Sequence, residues 1–316
     1  GGSLCTAAHS WSASVREVTC RNPISDQKVF DQLTLEYCTN APTPTANPRT
    51  SRAGRNISFG LRAGCIIGLH TGAEEHTRVG PARRGNADEY SEGMLLNLLH
   101  GRLKPDHGTA LCLLRTALVG PRPTLIPNVS FIENLIGGLP EERIPKGEKQ
   151  LEGLWNLCRR VGMSETLIGR EDADGGIPED HDDWHAQLKK MLPNEDLLSH
   201  SDLLRINLVR ALFKQPTMLL LHRIGYKEQL LALMPILREY LEGKFDALLN
   251  GDDELQHVLG SEPQHKHGRR SIILAVPQRI LMKVLDPKQG DMLLHLESAS
   301  KATLSNFETP ERVDKI

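Results

Sequence analysis

Residues 198–223 read LSHSDLLRINLVRALFKQPTMLLLHR, and this stretch decides the fold class more than any other part of the chain. A Lys-Gln-Pro turn in its middle is followed by Met218 to Leu221, an apolar run of the type that forms buried strands. The residues before the turn have the three- and four-residue apolar spacing of an amphipathic helix, carried by Leu203, Leu204, Leu208, Ala211 and Leu212. The stretch therefore predicts a helix that leads through a tight turn into a core strand.

Composition limits the class of protein around this unit. The chain has 316 residues, enough to bury a substantial core in one large domain or two small ones. Its formal net charge is -2, so bulk electrostatics favour neither nucleic acid nor an anionic membrane. Aromatic residues make up 4% of the chain, which argues against a base-stacking surface. We therefore expect no nucleic-acid partner.

Cysteine spacing and hydropathy indicate the compartment. The six cysteines form no CxxC pair, which argues against a zinc site and a disulfide framework. No apolar run approaches the roughly 20 residues of a membrane span. The Gly1-Gly2-Ser3 start has neither region of a secretory signal. We expect a cytoplasmic protein without a direct membrane span, peripheral at the membrane if another polypeptide supplies the spans.

Short apolar strands alternate with longer helical stretches along the chain. This order predicts an α/β fold with a largely parallel core sheet. Residues 1–30 show no clear period and are expected to be an N-terminal extension, and 301–316 a polar C-terminal tail, which leaves 31–300 as the domain. The predicted strands are Leu33–Tyr37, Asn56–Arg62, Cys65–Leu69, Ser271–Val276 and Asp291–Leu296, and the clearest helices are Glu92–Leu99 and Gln229–Leu249.

The order of these segments, from about Leu33 to Glu297, resembles the ATPase domain of an exporter-type ABC transporter. The stretch at 198–216 resembles the signature helix without a gap, and the strand after it resembles Walker B. The resemblance implies a P-loop NTPase-like core sheet with a helical subdomain at about 120–215. Further segments that match the family's order are 56–64, 66–69, 101–108, 131–138 and 271–278.

The residues that handle phosphate in that family are replaced here. A phosphate loop reads G-x-x-x-x-G-K-[ST], with glycines for close backbone approach and a Lys for the β- and γ-phosphates. Residues 68–77 read GLHTGAEEHT, about two residues short, with Glu75 near the Lys position. The corresponding residues are Gly68, Gly72, Glu75, His76 and Thr77.

The charge of Glu75 outweighs the remaining attraction for ATP. A carboxylate about 4 Å from a phosphate repels it by about 4 kcal/mol at an effective dielectric near 20. Tyr37 lies where the family stacks adenine, and stacking there would stabilise bound ATP by only roughly 1–3 kcal/mol. Ordinary binding of Mg-ATP is therefore not expected.

The residues at the family's catalytic positions are also replaced by types that cannot do the same chemistry. His222 aligns with the Walker B Asp that holds Mg²⁺, and Arg223 aligns with the catalytic Glu but cannot act as a base. Pro121 falls near the Q-loop Gln, and Pro277 replaces the switch His. Ser199 of the signature remains, but the two glycines that follow it in the family are absent. No catalytic residue is assigned.

One other cluster could hold a metal ion. His181 and His185 lie among carboxylates at i and i+4, which would place them on one face of a helix. No third ligand is identifiable and the stretch has the composition of a surface loop. The sequence therefore predicts no metal site.

These observations favour a catalytically degenerate ABC-ATPase-like domain, a pseudo-ATPase that serves as a structural or regulatory partner. Its partner would be a membrane transporter subunit, a competent ABC ATPase or a larger protein assembly, and it would need no cofactor. A first alternative is an active or partner-completed subunit that binds ATP and Mg²⁺. A second is a packing module of a large complex.

Overall fold

The computed structural model of the chain describes residues 11–21, 28–38, 57–62, 64–71, 87–112, 115–121, 124–137, 144–145, 147–168, 186, 188–192, 198–225, 227–245, 270–298 and 301–306. Their elements in chain order are β1 (Trp11–Arg21), β2 (Lys28–Cys38), β3 (Ile57–Arg62), β4 (Ile66–Thr71), α1 (Ala87–Leu99), β5 (His107–Cys112), β6 (Thr116–Val119), α2 (Phe131–Ile136), α3 (Glu148–Arg160), α4 (Glu165–Ile168), α5 (His200–Phe213), β7 (Met218–His222), α6 (Lys227–Leu241), β8 (Ser271–Ala275), α7 (Gln278–Val284), a 3₁₀ turn (Pro287–Gln289), β9 (Met292–Ser298) and β10 (Lys301–Asn306).

The central sheet has six strands in the order β10-β9-β4-β8-β7-β6. Its five strands from β9 to β6 are parallel to one another, and only the edge strand β10 runs antiparallel. The strand β8 is buried along its whole length, and β7 is buried at its first four residues. Continuous apolar runs of this kind are typical of strands covered on both faces. The predicted α/β class with a largely parallel sheet is confirmed.

The signature-like stretch forms the predicted helix, turn and strand. Ser199 caps α5, which buries eight of its side chains and ends at Phe213, with Lys214 as the C-cap residue. Gln215 then adopts a left-handed φ of 47°, and the chain enters β7 three residues later. Parallel pairing holds β7 between β8 and the edge strand β6.

The N-terminal region is more ordered than its composition indicates. Strand β1, expected to belong to an extension, is an inner strand of a second sheet with the order β3-β2-β1-β5. It pairs antiparallel with β2 through four register shifts between Trp11 and Arg21. Such irregularities break the alternation of apolar and polar residues, which is the signal that sequence reading uses for a strand.

The C-terminal region differs from expectation in the same way. Residues 301–306, expected to begin a polar tail, form β10 and pair with β9 along its length. As an edge strand, β10 needs no continuous apolar run, so its polar sequence carries little strand signal.

Helices α1 and α7 cover opposite faces of the central sheet. His222 of β7 and Leu69 of β4 are both register partners of Ala275, so their side chains share the face that α1 packs on. Gly68 precedes Leu69 and therefore faces the other side, where α7 lies with Leu281 and Leu285.

A group of short helices lies within the range 120–215. Helices α2 and α3 both pack against α5. Arg210 of α5 fixes α2 because its Nε donates to the carbonyl oxygen of Asn134 at 2.7 Å and its Nη2 donates to Asn134 Oδ1 at 3.2 Å. A capping box at Ser130 and Glu133 begins α2.

A buried ion pair ties α6 to the sheet. The carboxylate of Asp291 accepts bonds from both terminal nitrogens of Arg238, and its side chain is fully buried. The same carboxylate accepts the backbone N–H of Ile66 at 3.1 Å and that of Asp286 at 2.8 Å. A buried charge with this many donors is compensated, so the pair fixes α6 to the starts of β4 and β9.

Candidate functional site

The carboxyl ends of the parallel strands define the place where a ligand would be expected. In open α/β sheets, ligands bind in the crevice outside these ends. Here β4 ends at Thr71, β7 at His222 and β8 at Ala275. The predicted site residues His222, Arg223 and Pro277 all follow this edge of the sheet.

The end of β7 carries the two predicted site residues His222 and Arg223. Arg223 leaves the strand with a left-handed φ of 51°, and its N–H donates to the carbonyl oxygen of Ala275 at 2.8 Å. Its Nε lies 3.8 Å from Oε2 of Glu92 on α1. The Glu92 side chain is 6% exposed, so its carboxylate sits beneath the partly exposed guanidinium.

The residues next to this ion pair, His222 on β7 and Gly93 on α1, are also in contact. The imidazole ring of His222 lies against Gly93 of α1, so closely that a β-carbon at position 93 would come 3.0 Å from Cε1 of the ring. His222 and Arg223 therefore meet Gly93 and Glu92 as adjacent pairs. Helix α1 is held at the end of β7 by a close packing contact beside an ion pair.

This arrangement limits the chemistry at the end of β7. A guanidinium does not lose its proton in proteins, so Arg223 cannot activate a water molecule. The one carboxylate that the structure places here belongs to α1 and is paired with that guanidinium. No group of three or more metal-ligating side chains occurs in the part of the chain that the structure describes.

Strand β4 extends further than the sequence indicated. We expected the phosphate loop to begin at Gly68, but Gly68 lies inside the strand, paired with Leu274 of β8 and Leu293 of β9. The strand continues to Thr71 because β9 still pairs with it at His70 and Thr71, beyond the last pairing with β8 at Leu69. Gly68 serves packing instead: a β-carbon there would meet Leu285 Cδ1 at 2.8 Å.

A pair of histidines lies at the same edge. His70 of β4 and His295 of β9 are register partners, and their rings stack with centroids 4.3 Å apart and an interplanar angle of 10°. His70 is 2% exposed. No local pattern indicates the contact, since each is a single histidine within a different apolar strand.

The polar groups at the start of the signature-like helix are hydrogen-bonded within the chain, although Ser199 itself is exposed. Ser199 Oγ donates to Asp202 Oδ2 at 2.7 Å and accepts the N–H of Asp202 at 3.1 Å. The other oxygen of Asp202 accepts the N–H of Ser164 at 3.2 Å. Ser201 accepts a hydrogen bond from Nε2 of Gln229 on α6. The hydroxyl and carboxylate groups of this helix start are therefore engaged within the chain.

The remaining predicted site residues are not brought together. Pro277 stands at the N-cap position of α7, where a missing N–H is tolerated. Pro121 is exposed beyond the end of β6. Tyr37 lies in β2, with Ala13 and Leu61 as register partners. Gly72, Glu75, His76 and Thr77 lie outside the described residues, as do His181 and His185.

Sequence reasoning also missed Glu92 and Gly93. Both stand in a predicted helix, where a glutamate reads as a solvated side chain. The usable signal was Gly93, because a glycine inside a helical pattern costs stability and is often kept for a close packing contact. It indicates that something packs there, without saying that the contact is His222.

Comparison with known proteins supports the fold. A chain from the structure of a metal-chelate type ABC transporter in an inward-facing conformation matches with a TM-score of 0.53 and 10% identity, over 94% of this chain and 83% of that chain. No protein-family model matches the sequence. No curated protein matches it either. At this identity the likeness concerns the fold alone, an α/β fold with a largely parallel core sheet and helices around it.

The helices can also be compared with what a membrane span requires. Among the described segments, no helix has both the length and the apolar character needed to cross a bilayer.

Proposed function

We propose that this chain is a catalytically degenerate ABC-ATPase-like domain that acts as a structural or regulatory partner of a membrane transporter or a larger assembly. The observation that carries the proposal is the ion pair between Arg223 and Glu92 at the carboxyl end of β7. In an ABC ATPase this place belongs to carboxylates that face Mg²⁺ and water.

The charge at this position opposes the metal that ATP requires. Like unit charges about 4 Å apart repel by about 4 kcal/mol at an effective dielectric of 20, and Mg²⁺ carries two of them. The Arg223 side chain is 37% exposed, so solvent screens part of this repulsion. The sign is nevertheless the reverse of the one that holds Mg-ATP in a competent site.

The signature-like helix supports the same proposal. The first turn of α5 holds the carboxylate of Asp202, which is bonded to Ser199 and to the N–H of Ser164. A carboxylate there repels a phosphate that a partner domain would present. The start of α5 would therefore not contribute to binding a nucleotide that a partner domain presents.

A partner role is supported by exposed apolar side chains in the helical part. Ile126 is 43% exposed and Met191 is 55% exposed. Both lie beside the start of α2, since Ile126 N–H donates to Asn134 and Met191 forms a bridge with Ser130. The partner we propose is a transporter subunit or a competent ABC ATPase, contacted from the cytoplasmic side and without nucleic acid.

Isothermal titration with Mg-ATP tests the loss of nucleotide binding. The purified chain is expected to give no binding heat, and a competent ABC ATPase titrated in parallel shows that the reagents are sound. Binding in the micromolar range would refute the pseudo-ATPase proposal. Steady-state ATPase activity that disappears in Arg223→Ala or His222→Ala would instead establish the active-subunit alternative, with ATP and Mg²⁺ as its ligands.

Site-specific photo-crosslinking tests the partner role. A photoreactive residue at position 191 is expected to yield one adduct with a transporter subunit or an ABC ATPase in native membranes. The matched control is position 228 on α6, where the Glu side chain is 80% exposed. Equal and diffuse labelling from both positions would count against a partner at the helical part.

A further inference from the structure

Helix α1 brings a buried carboxylate to the carboxyl edge of the central sheet. Glu92 is 5% exposed, which is uncommon for a glutamate unless a positive group compensates it. The guanidinium of Arg223 lies 3.8 Å away, with 37% of that side chain exposed. The pair therefore has an inner anionic half and an outer cationic half.

The approach of α1 depends on the residue that follows Glu92. Gly93 has no side chain, and the His222 ring occupies the space where a β-carbon would otherwise stand. This contact lets α1 come close enough for Glu92 to reach the end of β7. Two adjacent residues of the helix thus meet two adjacent residues of the strand end.

The backbone of Arg223 is held in an unfavourable conformation at this contact. Its φ of 51° lies in the left-handed region, which residues with a β-carbon rarely adopt. Its N–H is bonded to the carbonyl oxygen of Ala275, so β8 fixes the turn. Such strain persists where the surroundings determine the conformation, and it concentrates at ligand sites.

We propose that the Glu92 carboxylate is a built-in anionic ligand for the His222–Arg223 end of β7. The site is a latent oxyanion site, with a positive charge that suits a carboxylate or a phosphate, that the chain fills from within. Helix α1 and strand β7 then stay together without a bound nucleotide. The inference rests on the proposed function, because a site that held Mg-ATP would have no need of an internal anion.

Chemical rescue tests this proposal directly. Glu92→Ala removes the carboxylate and leaves Arg223 facing a small cavity, so its melting temperature should fall by about 3–10 °C. Sodium formate should then restore at least half of the loss in a saturable way, and sodium chloride of equal ionic strength should not. Inorganic phosphate is the second probe and shows which oxyanion the space accepts.

Three control proteins make the result specific. The unchanged chain already holds its own carboxylate, so formate should not raise its melting temperature. Glu92→Ala combined with Arg223→Gln has the cavity without the cation and should show no rescue. Glu228→Ala removes an exposed carboxylate from α6 and should respond like the unchanged chain.

Each outcome decides the proposal. Formate rescue that requires Arg223 supports it. Equal rescue with and without Arg223, no rescue, or a Glu92→Ala variant as stable as the unchanged chain overturns it. If Glu92→Ala does not fold, Glu92→Gln, Arg223→Gln and their double variant replace it. A fall in melting temperature of the double variant that is smaller than the sum of the two single falls supports the pairing. Strictly additive falls overturn it.

The two proposals fail in different experiments. Titration of the unchanged chain with Mg-ATP decides whether nucleotide binds at all. The rescue experiment contains no nucleotide, so its failure would leave the pseudo-ATPase proposal standing and remove only the internal ligand.

Discussion

The imidazole ring of His222 packs directly against Gly93, and this contact sets how closely helix α1 approaches the end of strand β7. The space is full, because a β-carbon at position 93 would lie 3.0 Å from Cε1 and 3.6 Å from Nδ1 of the ring. The adjacent ion pair between Glu92 and Arg223 shares the same interface. The packing of helix α1 against β7 therefore also determines the geometry of the site.

We predict that Gly93→Ala destabilises the protein by about 1–3 kcal/mol, because the ring or the helix must move. The sign is informative, since Gly→Ala inside a helix otherwise stabilises by roughly 0.5–1 kcal/mol. Urea denaturation measures the change. In a His222→Ala background the clash is gone, and Gly93→Ala should then be neutral or stabilising.

Gly120→Ala is the matched control for this prediction. Among the described residues, no atom lies within 4 Å of the β-carbon that this substitution adds. A loss at position 120 equal to that at position 93 would show that glycine replacement as such is harmful. It would remove the argument for a specific contact with His222.

A second prediction concerns the other face of the sheet. The β-carbon of Gly68→Ala would meet Leu285 Cδ1 at 2.8 Å and Leu281 Cδ2 at 3.0 Å, so α7 would be pushed away from β4. We expect a loss of about 1–3 kcal/mol in the free energy of unfolding. Combining it with Leu285→Ala should cost less than the sum of the two single changes. Strict additivity in denaturant titrations would contradict this contact.

The helix, turn and strand at 198–223 were predictable because each carries a local signal. Apolar residues three and four positions apart define α5, and the four-residue apolar run from Met218 to Leu221 defines β7. The parallel character of the sheet follows from the same runs, because only strands covered on both faces are apolar throughout. The loss of catalytic carboxylates at His222 and Arg223 is implied by the resemblance alone and stays a prediction.

The contacts of the site were not predictable, because they join residues far apart in the sequence. Nothing local links Glu92 to Arg223, or His70 to His295. The strand β1 was missed for a different reason, since its register shifts destroy the alternation that defines a strand. Local patterns thus indicated the strands and helices around the site, and the contacts within it depend on packing between distant residues.

A third prediction concerns acid stability. Burial, and then the charges of Arg102 and Lys214, hold the pKa of His100 below its ordinary value. The folded state therefore resists a proton that the unfolded state accepts. The stabilising contribution is complete above about pH 6.5, the ordinary histidine pKa, and is lost as the pH falls through the lower pKa of the folded state.

We expect the free energy of unfolding to fall more steeply between about pH 7 and about pH 5 in the unchanged chain than in His100→Asn. Parallel curves from urea denaturation would contradict the effect. Lys214→Gln should raise the pKa of His100 in an NMR titration, because it removes one of the two charges. Lys283→Gln on α7 is the control and should leave the titration unchanged.

The last prediction separates capping from phosphate contact at Ser199. Its hydroxyl accepts the N–H of Asp202 and donates to the Asp202 carboxylate, so it caps α5 from within the chain. Ser199→Ala should cost about 1 kcal/mol of stability in urea denaturation. Ser199→Thr keeps the hydroxyl and should cost much less. The alanine variant could instead be as stable as the unchanged chain and bind an ATP-loaded, competent ABC ATPase more weakly. That result would show that the hydroxyl contacts a partner's phosphate, and it would contradict a capping role for Ser199.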